Sequence, residues 1–66
     1  MMKASNIHIG DEMLIKKGKG TEPSRIKRLH EVCAVRPGPH VHIVHEVGAL
    51  CVGFRQFVNA RPNRNR

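Results

Sequence analysis

The chain has 66 residues, room for one domain with one small core, because a chain this short buries only about 60% of the surface it exposes when unfolded. Twelve Lys and Arg against five Asp and Glu leave a formal charge of +7, which draws polyanions, nucleic acid foremost among them. No apolar run approaches the ~20 residues of a membrane span, and two cysteines are too few for a disulfide framework.

Residues 1–6 show no periodicity and are expected to be a flexible N-terminus. From Ile7 the apolar positions alternate, with Ile7, Ile9, Met13 and Ile15 on one face and Asp11 interrupting it. A period of two is a strand, and the Gly10-Asp11 step within it predicts a bend or bulge. Residues 16–24 read as a loop, since Gly18 and Gly20 permit positive φ and Pro23 lacks an amide donor.

Residues 24–35 support two readings. Ile26, Leu29, Val32 and Cys33 make a stripe at helical spacing that Ser24 is suited to cap, which gives the alternative of an α+β fold with a helix at about 24–35. β-branched Val32 and Val35 and the turn that follows favour a strand from about Arg28 to Val35 instead. That turn, Arg36-Pro37-Gly38-Pro39, joins two runs rich in β-branched residues and predicts a hairpin about which the remaining strands are arranged.

Beyond the turn His40, His42 and Val44 alternate with Val41, Ile43 and His45, giving a strand with histidine on both faces. Leu50, Val52 and Phe54 alternate in a last strand, and Gly53 marks an expected bulge. Residues 61–66, three of them Arg and none apolar apart from Pro62, are expected to form a disordered basic tail. Four to five short antiparallel strands in so short a chain predict a mainly β fold, a small SH3-like barrel over residues 7–60, because closure removes exposed edges.

Several of these residues carry a family resemblance. Gly10-Asp11-Glu12-Met13-Leu14-Ile15, then Pro23 with Leu29, His30, Glu31 and Val32, then Gly53-Phe54-Arg55-Gln56-Phe57, resemble the motifs of small SH3-like barrel proteins encoded by bacteriophages and prophages. His30 replaces the usual aromatic, and Lys27 and Arg28 stand where a Gly is common. The opening, on to Gly18-Lys19, is also similar to the KOW element of ribosomal proteins and elongation factors, although the Gly expected near Ser24 is missing. The first likeness implies a barrel that binds host machinery; the second implies RNA.

The cations are clustered. Lys16, Lys17 and Lys19 follow the first strand, and Arg25, Lys27 and Arg28 open the next, so the two groups are expected to form one positive rim that binds phosphates by releasing counterions. Only two Phe and no Trp or Tyr weaken a single-strand platform built on stacking. His40 and His42, with Cys33 and Cys51, are donors that a divalent ion accepts. They follow no recognisable zinc spacing, so they are expected instead as solvated histidines and small buried thiols.

No apolar signal-peptide core precedes the cysteines, and reduced thiols in a cytoplasmic protein are expected rather than a disulfide. His30 and His45 sit near no recognisable nucleophile, and Asp11, Glu12, Glu22, Glu31 and Glu46 form no evident pair. The expectation is a non-enzymatic binding module of phage or mobile-element origin, without cofactor and away from membranes. Its partner is nucleic acid, DNA or RNA, or a protein that handles it, with Lys16, Lys17, Lys19, Arg25, Lys27 and Arg28 in contact. The alternatives are an interaction or inhibitory module acting on an acidic host protein, and self-association as a homodimer.

Overall fold

In a computed structural model that describes residues 1–32 and 38–64, the long strand β3 (Gly20–Val32) is shared by two ladders. Its first half pairs antiparallel with β2 (Glu12–Lys17) and its second half with β4 (His40–His45). Adding β5 (Ala49–Gly53) and β7 (Ala60–Arg61) at the edges gives a five-stranded sheet in the order β5-β4-β3-β2-β7. A two-stranded ribbon of β1 (Met2–Lys3) and β6 (Phe57–Val58) completes a mainly β, barrel-like fold.

Closure comes from the termini. Asn59 alone separates β6 from β7, and its carbonyl accepts the Leu14 amide while the neighbouring residues pair with β1 on one side and β2 on the other. The Ala4 and Ser5 amides donate to the Gln56 and Phe54 carbonyls, which ties the N-terminus to the segment leaving β5. Residues 1–6 are therefore held, not frayed: Met2 and Lys3 are paired, and Ala4 is buried. The expected tail is also engaged at its start, with Arg61 in β7 and the Asn63 amide on the Asp11 carboxylate.

The core follows the strand period. Met13 from β2, Ile26 from β3, and Val41 and Ile43 from β4 point to one side, where Ala4, Ile7, Val58 and Ala60 meet them and Leu29, Leu50, Val52 and Phe54 pack against the cluster. Each fully buried isoleucine here contributes about 1.5–3 kcal/mol of burial, a large share of the stability of so small a domain.

Of the two readings of residues 24–35 the strand is the one present, and it starts earlier than Arg28: residues 24–32 are all strand, while residues 33–35 lie outside the described residues, as do Arg36 and Pro37 of the expected turn. The hairpin pairing is nonetheless present, since Val32 faces His40. The expected loop at 16–24 is a second hairpin: Lys17 faces Gly20, and only Gly18 and Lys19 lie between. Pro23 is tolerated in the strand because Leu14, opposite it, sends its amide to Asn59 on the other side, so no ladder bond is required at this position.

The first predicted strand is shortened to begin at Glu12. Residues 8–11 make a turn in which the Asp11 amide donates to the His8 carbonyl and Gly10 takes φ +97°, and Ile9 is left 61% exposed. Asp11 is no interruption of an apolar face. It is fully buried, and its carboxylate accepts the His8 amide at 2.9 Å and the Asn63 amide at 3.1 Å.

Candidate nucleic-acid interface

Alternation of buried residues assigns the faces. Asp11 just before β2, Met13 on β2, and Ser24 and Ile26 on β3 point inward, so Glu12, Leu14, Lys16, Pro23 and Arg25 point outward. Arg25 stands opposite Glu12, whereas Lys16 stands opposite Thr21, four positions further along the hairpin. At about 3.4 Å per residue the two cation groups are some ~14 Å apart along the strands. The single rim expected from sequence is thus two patches.

The patch at the hairpin tip is divided. Lys16 lies on the outer face, Lys19 in the turn, and Lys17 on the other face, where its Nζ is 3.1 Å from Glu22 Oε2. Arg61 at the far edge of β2 is held by Glu12 at 3.5 Å. Among the described residues no ion pair engages Lys16, Lys19, Arg25, Lys27 or Arg28.

The second patch is concentrated by a β-bulge. Ile26 faces His45 and Arg28 faces Val44, which leaves Lys27 as an extra residue in β3. Regular alternation would send Lys27 outward and Arg28 inward; the bulge sets both opposite Val44 and on the exposed face, and both are exposed. Leu29 can then turn inward against Ile43 and the core. Arg25 faces the same way as Lys27 and Arg28. The Glu46 amide bonds the Arg25 carbonyl and the Glu46 side chain accepts the Arg25 amide at 2.9 Å, so the neighbouring carboxylate is engaged by backbone.

The same face continues into imidazoles. His40 and His42 alternate with buried Val41, Ile43 and His45, and His42 stands opposite His30 with ring centroids 6.2 Å apart. On its other side His42 faces Cys51, which is exposed and not the buried thiol expected from sequence. Cys33 lies outside the described residues. Among the described residues no three His, Cys, Asp or Glu side chains gather closely enough to hold a metal.

Sequence reasoning missed the pairing of Ser24 with His45. Ser24 Oγ is 2.7 Å from His45 Nδ1, and the Val47 amide approaches the same nitrogen at 3.4 Å. A nitrogen that accepts from an amide carries no proton, so the Ser24 hydroxyl is the donor. Hydroxyl and imidazole at this distance invite a nucleophilic reading, yet Ser24 is 1% and His45 8% exposed. A substrate cannot reach them, and the pair serves to clamp the β4–β5 turn onto β3.

No family model, curated protein or solved structure matches the chain.

Proposed function

We propose that the protein is a non-enzymatic module that binds nucleic acid through the exposed face of β3. The observation that carries this is the grouping of Arg25, Lys27 and Arg28 on one face, with no ion pair among the described residues, on a chain of formal charge +7. The paired strand holds the backbone of these residues in place, and counterion release supplies the affinity. Lys16 and Lys19 are secondary contacts for a longer ligand, and Lys17, held by Glu22, contributes least. The motif likeness to phage-encoded barrels supports an origin in a phage or mobile element, and the cytoplasm is the compartment where such a ligand is met.

Fluorescence anisotropy with labelled DNA and RNA tests this. Binding in the ~1–100 μM range that weakens steeply between about 50 and 200 mM salt is expected; no binding at the lower salt overturns it.

A second reading, contact with an acidic host protein, draws on a different surface. Pro39, His40, Phe54 and Arg55 line an open groove beside Gly53 and Gln56, and half-buried Phe54 with exposed Arg55 suits an acidic peptide with an apolar anchor. Protection of this groove with no effect at β3 on adding such a partner is the outcome that separates the two.

A further inference from the structure

We infer that the β3 face takes the phosphate backbone of a duplex, independent of base sequence, in preference to a single strand. This rests on the proposed nucleic-acid role and narrows it. Three features of the face point the same way.

The first is spacing. Arg25 lies beside Glu46, just past the end of β4, and Arg28 opposite Val44, two positions apart on that side although three apart on β3. The bulge therefore confines three cations to about 7 Å of strand. Along its axis a duplex presents a charge about every 1.7 Å and a single chain of it only about every 3.4 Å, so a short, dense patch sits in a field of roughly twice the linear charge density on a duplex.

The second is the absence of a Phe, Tyr or Trp platform, since the rings on this face are the imidazoles of His30 and His42. The side chains around Arg25, Lys27 and Arg28 are Glu12, Val44, Ala49, His30, His42 and, beside Arg25, Glu46. Both phenylalanines are elsewhere, Phe54 against the core and Phe57 on β6, which pairs with β1. Single-strand binders gain about 1–3 kcal/mol per stacked base, and no Phe, Tyr or Trp is here to provide it.

The third is the lack of a probe for base edges. Major-groove readout needs a helix or a two-stranded ribbon entering the groove. Arg25 projects from the part of β3 that pairs with β2, and Lys27 and Arg28 from the part that pairs with β4. A strand set within a sheet reaches phosphates and does not enter the groove as a helix or free ribbon would.

The test titrates the full chain against four labelled oligomers of about 20 nucleotides or base pairs, duplex DNA, duplex RNA and one strand of each, in two unrelated sequences. The expected result is duplex binding at least about tenfold tighter than either single strand, equal for both sequences, with a log K against log salt slope between about −2 and −3. Arg25→Gln, Lys27→Gln and Arg28→Gln each reduce the magnitude of the slope by about 0.9, while Lys3→Gln, on β1, leaves it unchanged. The two duplex arms show whether B-form or A-form spacing fits better. Single strands bound as tightly as duplexes, or affinity that follows sequence, overturns the inference and leaves the proposed function standing. No binding by any of the four overturns both.

Discussion

Two buried polar residues hold this small fold in shape, and each makes a sharp prediction. Ser24 donates to His45 Nδ1 next to the paired Arg25 and Glu46. Ser24→Ala leaves a buried imidazole nitrogen with only the longer Val47 contact, and the expected loss is about 1–3 kcal/mol in urea unfolding, with duplex affinity retained in the folded fraction. Asp11 joins residue 8 to residue 63 through one carboxylate. Asp11→Ala removes a charged acceptor and is expected to cost at least about 1–3 kcal/mol. It should also speed tryptic cleavage after Arg64, because the C-terminal segment loses its anchor; unchanged cleavage would contradict that role. The Gly-Asp step was legible in the sequence as a motif, but its purpose was not, since Asn63 is 52 positions away and nothing local marks a long-range bond.

At the level of elements, the stretch most open to misreading was Ile26 to Leu29. Two apolar residues three apart on a strand-forming background mimic one turn of a helix, and here that spacing is the trace of the bulge at Lys27, which keeps both residues on the core side. An inserted residue in a strand and a helical stripe differ only in what comes next, and residues 33–37 lie outside the described residues. The β2–β3 hairpin was hidden for a related reason. Glycines and a proline suggested a loop, yet the glycines sit at the tip and Pro23 where no ladder donor is required.

The alternation from Ile7 was real only from Glu12 onward, because Gly10 at φ +97° turns the chain before the strand begins. Ile7 and Ile9 therefore part company, one at 5% and the other at 61% exposure. Ile9→Ala is expected to change stability by no more than about 0.5 kcal/mol, whereas Ile26→Ala should cost about 2–5 kcal/mol. Equal effects in thermal or urea unfolding would mean that the faces are wrongly assigned.

For the molecule as a whole, composition and strand period were enough to give a mainly β, barrel-like fold of short antiparallel strands, because so few apolar residues can be buried only by a sheet that curves on itself. What they did not reveal is how the ends close it: β1 and β6 are two residues each, too short to show a period. The basic groups were visible in the sequence, but their arrangement depended on register. Four positions of hairpin separate Lys16 from the neighbourhood of Arg25, and one extra residue turns Lys27 and Arg28 to the same side. With Arg61 held by Glu12 and Lys17 by Glu22, the charge open to a partner is less than the net charge implies and is centred on β3.

The most direct measurement is a ¹H–¹⁵N NMR titration of the full chain with a short duplex at low salt. Shifts at the amides of Arg25, Lys27, Arg28, His30, His42 and Val44, reversed by added salt, are the predicted result. Shifts confined to Gly18, Lys19 and Gly20 at the hairpin tip, or to Phe54 and Arg55 at the groove, would contradict binding through the face of β3.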